Sequence, residues 1–317
     1  MSMVLASGFT DFVRDAVDLQ VQVDSVGLGA VFALMAVGIG LVFGVLRLVN
    51  FAYGQLIMAG GYAIALTSDH PPLVSIGVCF AVVLGLSLAM ELVAFRPLRQ
   101  ASPTTMLVAT FAISYLLQSI ALVRFGAIPK FAVVFPGLSN FVTIGSLNVR
   151  WITLVSIGTA IVAFAALALL LARTTIGLQM RAASIDPQTA RLLGVRANRV
   201  ITVAVLVAGL LAAIVAVILP MAQSPLVAPD TGLRETIIVL VGVVVGGIDR
   251  LLTATLGGFT MGLAVGVLSG YLPSTGSWPF TSSVYLDSAV FMLVIVVLLL
   301  RPEGLFARGR RTAVERV

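Results

Sequence analysis

Runs of about 20 apolar residues recur along the whole 317-residue chain, each long enough to cross the hydrocarbon layer of a bilayer as a helix. A helix satisfies its backbone N–H and C=O groups internally, which lipid, having no water to offer, demands of any spanning segment. A membrane barrel would instead show shorter stretches of alternating polarity. The fold class is therefore all-α, a polytopic integral membrane helical bundle. Composition excludes the soluble alternative: 60% of residues are hydrophobic, 10% are charged and mean hydropathy is +1.14, where soluble domains carry about 25% charge.

Apolar length places spans at Ser25 to Leu46, Leu48 to Leu66, Leu73 to Phe95, Thr105 to Val123, Trp151 to Ala172, Val200 to Leu219 and Val284 to Leu300. Between the last two, Thr236 to Leu272 is too long for one span and is interrupted at Gly246, Gly247, Asp249 and Arg250. It reads as a short half-helix followed by a full one, giving about eight or nine spans in all. The domain reading is an N-terminal amphipathic segment over 1–24, a transmembrane body over 25–300 with a polar loop over 174–199, and a basic tail over 301–317. The N-terminal segment lacks the basic start and apolar core of a signal peptide, so it is expected to stay on the mature chain, with Phe9, Phe12, Val13 and Val17 suited to a helix at the membrane surface.

The net charge of +6 rests on arginine, Lys130 being the one lysine. Arg96 and Arg99 lie in one loop, Arg173, Arg181, Arg191, Arg196 and Arg199 in or beside a second, and Arg301, Arg308, Arg310, Arg311 and Arg316 in the tail. Alternating spans put all three on one side, expected to be cytoplasmic. Nine spans then place the acidic N-terminus outside and eight place it inside; the charge bias favours nine. This charge reports orientation and gives no sign of nucleic-acid binding.

The chemistry of catalysis is missing from the sequence. A single histidine, His70, sits in a turn and a single cysteine, Cys79, in an apolar run, so no metal cluster is expected. There is no GxSxG and no GxxxxGK[ST], and Gly38, Gly40 and Gly44 follow no strand. The chain is expected to be no enzyme, to need no cofactor and to hold no nucleotide of its own. Glu91 and Asp287, the acids closest to membrane depth, lie towards span ends, where a proton-coupled carrier normally keeps its acids near the midplane.

Polar groups inside the spans require partners. Thr110, Ser114 and Gln118 follow at intervals of four on one helix face, while Asn50, Tyr53, Gln55 and Tyr62 supply polar groups near the start and middle of the second span. They suit either interhelical hydrogen bonds or an aqueous pathway, and Asn50 to Gly54 reads as a local break facing a cavity. Gly258, Gly262, Gly266 and Gly270 stack on one face and permit close helix packing, within this chain or with another subunit. The outer loop from Arg124 to Arg150 suits a connector or a contact with a solute-delivering partner.

The loop TTIGLQMRAASIDPQTARLLGVRANR contains its own short helix: Asp186 suits the N-cap, Pro187 the first position, and Gly194 the stop roughly two turns later. Ala190 and Leu193 then form a small apolar knob, with Gln188 and Arg191 left for polar contacts. Such a capped peg on an otherwise oily chain points to a second protein that must be gripped.

That loop, the segment GLVFGVLRLVNFAYGQLIMAGGYAIAL (Gly40 to Leu66) and the ending LLLRPEGLFARGRR (Leu298 to Arg311) together resemble the branched-chain amino acid ABC transporter permease family, over nearly the full length and in the same order. The resemblance implies the shorter of two membrane subunits of an inner-membrane importer, pairing with a second permease, two cytoplasmic ATP-binding subunits and a periplasmic substrate-binding protein, with membrane lipid around it. It also implies that Gln188, Thr189, Ala190, Arg191 and Gly194 occupy the coupling-loop signature, with Gln and Thr in place of its usual Glu-Ala start. Relatives in that family are associated with branched-chain amino acids and also with amides, urea and aromatic acids. A secondary carrier working without ATPases is the other reading in play.

Overall fold

The computed structural model describes residues 19–46, 50–99, 101–144, 147–185, 190, 192–247 and 250–271, and four separate positions, 288, 292, 295 and 299. Six of the described helices are long and apolar enough to cross a membrane: α1 (Leu19–Leu46), α3 (Pro72–Leu98), α4 (Pro103–Phe125), α5 (Trp151–Arg173), α7 (Ala197–Ala222) and α9 (Leu251–Tyr271). Two more, α2 (Tyr53–Leu66) and α8 (Leu233–Gly246), have 14 residues each. At 1.5 Å per residue that is about 21 Å, short of a hydrocarbon layer of about 30 Å. The described bundle is thus six full spans and two half-length helices.

Of the apolar stretch of α1, 89% is buried inside the chain, against 11% for α5. Hence α1 is the central pillar, with α9, α7, α5 and α8 packed on it, and α5 is an outer helix. The contact with α9 follows from its glycines: a side chain at Gly258 would meet Ala36, at Gly262 Phe32 and the backbone of Gly29, at Gly266 Ser25, and at Gly270 Val21. Without side chains on that ridge the two backbones close up, and dispersion supplies the attraction that lipid cannot. The neighbour of this ridge is a helix of the same chain.

The stretch expected to span from Leu48 does not: its helix starts only at Tyr53. Asn50 Oδ1 accepts from the Ala52 N–H at 3.0 Å, closing a turn that the helix cannot absorb. The stretch from Thr236 divides as its glycines predict, into α8 and α9, with Gly247 at φ +106 between them. The starts of the two half-length helices touch. Gly232, at φ +87, precedes α8 and its carbonyl lies where a Cβ of Gly54 would go, so neither position has room for a side chain.

One end of the bundle carries short strands. β2 (Phe141–Ile144) and β3 (Leu147–Arg150) form an antiparallel hairpin, and β1 (Lys130–Phe131) pairs with β4 (Leu226–Val227), tying the 124–150 segment to the connection after α7. The opposite end carries Arg96, Arg99, Arg173, Arg181 and Arg199 and a surface helix, α6 (Thr175–Ile185). The segment 1–18, most of the expected span from Val284 to Leu300 and the tail from 301 lie outside the described residues. Ser288, Met292, Ile295 and Leu299 recur at helical spacing and are exposed.

Candidate functional site

Three features at different depths come from the fold. Deepest in the bundle is the polar belt at the start of α2. The Phe51 N–H donates to Thr110 Oγ1 at 3.5 Å, Gln55 Nε2 donates to Ser114 Oγ at 3.2 Å, and Thr110 donates to the Leu107 carbonyl at 2.9 Å. Gln55 with Ser114 and the Phe51 backbone with Thr110 thus link the start of α2 to α4, while Asn50 bonds within its own turn. Tyr53 turns the other way, towards Gly38 of α1, Tyr62 stacks on Phe125 with ring centres 4.6 Å apart, and Gln118 is half-buried. Among the described residues the Tyr53 hydroxyl, Gln55 Oε1, the Tyr62 hydroxyl and Thr236 Oγ1 are buried with no hydrogen-bond partner. Buried polar atoms left unpaired cost free energy, so each calls for an explanation.

At the strand-bearing end lies a cavity of about 570 Å³. Its charged wall is Asp24, Arg150, Asp230, Arg234 and Glu235; its apolar wall includes Leu28, Phe32, Ile57, Leu219, Ile238 and Val265. Arg150 Nε lies 3.5 Å from Asp24 Oδ1, both side chains about one-third exposed. Glu235 caps α8 by accepting from the Gly232 N–H at 2.9 Å. A concave surface with both signs of charge above aliphatic side chains can hold a zwitterion that has an apolar side chain. None of the seven polar residues selected from the sequence lines this cavity.

The third feature is the polar loop at the arginine-rich end. Thr174 precedes α6 and its Oγ1 accepts from the Gly177 N–H at 3.0 Å, and the helix anchors through Met180 and Ala183 against Val200 and Ala204. Asp186, Pro187, Gln188, Thr189 and Arg191 lie outside the described residues. Ala190 is helical and 3% exposed, while Leu192 and Leu193 are 88% and 78% exposed. Gly194 takes φ +85 and the Val195 N–H donates to the Ala190 carbonyl at 3.0 Å, the bond pattern of a helix stopped by a left-handed glycine. Ala190 therefore faces inward, and the apolar pair presented outward is Leu192 with Leu193.

Full spans, half-length helices meeting at a glycine contact, a charged cavity at one end and a capped projection at the other define a multi-pass helical membrane protein with features at both ends. A model of the family described as branched-chain amino acid transport system / permease component matches residues 22–299. The high-affinity branched-chain amino acid transport system permease protein BraD of Pseudomonas aeruginosa is 31% identical over 311 residues, covering 92% of this chain and 96% of its own. The corresponding permease protein LivH of Escherichia coli K12 is 27% identical over 307 residues, covering 92% and 96%. Among solved structures, a chain of PsaBC from Streptococcus pneumoniae, determined in complex with Fab, has the same fold at a TM-score of 0.52 and 13% identity, covering 93% of this chain and 97% of that one. The chain belongs to the branched-chain amino acid transport permease family, whose named relatives are membrane permeases and not enzymes.

Proposed function

We propose that this chain is a membrane subunit of an ABC importer for branched-chain or related amino acids in the bacterial inner membrane, working beside a second permease, two cytoplasmic ATPases and a periplasmic binding protein. The observation that carries the reading is the match to BraD, which runs over 96% of that permease. The excess of arginine supports a cytoplasmic side for the arginine-rich end and the C-terminal tail. The strand-bearing end then faces the periplasm, and its cavity receives the solute from the binding protein. Charged walls engage the ammonium and carboxylate while Ile57, Ile238 and Val265 accept the aliphatic chain.

From the cavity the pathway descends beside α2. Gln55 Oε1 and the hydroxyls of Tyr53 and Tyr62 lack partners in this conformation and meet water or solute when the helices part. The segment from Asp186 to Gly194 is the coupling peg, held by α6 and ended sharply at Gly194. The peg transmits displacement of the ATPases to α5 and α7, the two spans joined through this loop. The test is uptake by the purified assembly in vesicles, with leucine, isoleucine and valine set against urea, short amides and aromatic acids. Uptake of the aliphatic amino acids alone supports the proposal; uptake of only the neutral amides overturns the solute assignment.

A further inference from the structure

At the arginine-rich end a second cavity, of about 500 Å³, opens between the end of α3, the first turns of α7 and the start of α6. Three guanidinium groups line it, Arg96, Arg99 and Arg199. Arg99 is occupied: it donates to the Glu91 carboxylate and to Asn198 Oδ1. Glu91 is fully buried in a π-helical turn, Glu91–Phe95, which lets its carboxylate meet Arg99 while Arg96 follows directly after the turn. Glu91 thus cancels one charge of three. Among the described residues Arg96 and Arg199 have no ion-pair partner, and they leave the cavity with an excess of two positive charges.

We propose that this cavity binds the phosphate group of an anionic phospholipid. Arg96 and Arg199 neutralise the phosphate, and Thr175 and Gln179 offer further hydrogen bonds from α6. Lipid fits the position better than a soluble anion. Arg96 ends the apolar length of α3, so the cavity is at headgroup depth, and Leu88 and Leu92, two turns and one turn before it, are exposed on the membrane-spanning part of that helix. Basic pockets between spans at the headgroup level are where anionic lipids bind. Because α6 forms one wall, the lipid also steadies the helix that carries the coupling peg. The inference depends on neither the solute nor the identity of the ATPases.

The test is lipid retention by the full chain, purified from nanodiscs of phosphatidylcholine with and without phosphatidylglycerol and weighed intact by native mass spectrometry. The wild type is expected to retain phosphatidylglycerol over phosphatidylcholine. Arg96→Gln with Arg199→Gln should weaken that preference roughly thirtyfold, the combined effect of two surface arginines. Arg96→Lys with Arg199→Lys keeps the charge and most of the preference, which guards against a variant that fails to fold, and Arg173→Gln, outside the cavity, leaves it intact. Equal retention by the glutamine pair overturns the proposal. So does displacement of the lipid by millimolar inorganic phosphate, which would make the ligand a free anion, and so does loss of the lipid on assembly with the ATPases, which would assign the arginines to acidic protein side chains.

Discussion

Two glycines with positive φ separate conformational strain from crowding. Gly126, at φ +81, has open space where a Cβ would go, whereas Gly232, at φ +87, is pressed against the backbone of Gly54. Gly126→Ala should cost only the strain of that backbone, which at ψ 179 lies in a region nearly confined to glycine, roughly 1–3 kcal/mol. Gly232→Ala adds a collision between the starts of α2 and α8, so its melting temperature should fall clearly further; equal losses would mean that the two starts do not touch. Gln55 divides stability from transport in a similar way. Replacing it by Leu removes a buried, unpartnered Oε1 together with a 3.2 Å bond to Ser114, and interhelical bonds of that kind are worth only about 0.6 kcal/mol on average. Gln55→Leu is expected to leave thermal stability nearly unchanged while raising the KM for uptake severalfold; lost stability with unchanged uptake would make Gln55 a structural pin. The polar belt was legible in the sequence because its residues repeat at helical spacing within two segments. The cavity at the strand-bearing end was not, because Asp24, Arg150, Asp230 and Arg234 come from three separate stretches of chain and each reads, in its own surroundings, as an ordinary loop or span-end charge.

Helix packing can be perturbed one element at a time. Gly262→Leu drives a side chain into Phe32 and the backbone of Gly29, so α9 must lift from the central pillar α1. The yield of monodisperse protein in detergent should collapse, whereas Gly158→Ala on the outer helix α5, with open space around it, should behave as wild type. At the proposed coupling peg, Leu192→Asp with Leu193→Asp alters two exposed side chains and leaves the buried Ala190 in place. The fold should survive, with an unchanged elution profile, and copurification of the ATPases should fall at least about tenfold, the loss of some 1.4 kcal/mol of binding; full retention would place the docking surface elsewhere. The glycine ridge, the stop at Gly194 and the division of α8 from α9 could all be read from the sequence, since glycine acts through local backbone geometry. The late start of α2 was only half visible. Asn50 to Gly54 reads as a break, but apolar length alone carried the expected span back to Leu48, and only the Asn50 side chain bonded to the Ala52 N–H shows why the helix waits until Tyr53.

At the scale of the whole molecule, two half-length helices meet inside six full spans among the described residues, a charged cavity opens at one end, and a projection ended by Gly194 stands at the other. Neither cavity nor projection supplies energy, and no nucleotide-binding loop occurs in the sequence. In the proposed function the movement of solute is driven by separate ATPases, with the projection as the proposed link to them. The most direct measurement is uptake of labelled leucine into vesicles holding both permeases, with binding protein outside and ATP inside, with and without the ATPase subunits. The account predicts accumulation that requires the ATPases and stops when ATP is withheld. Equal uptake with the ATPases left out would contradict it and make the chain a carrier in its own right.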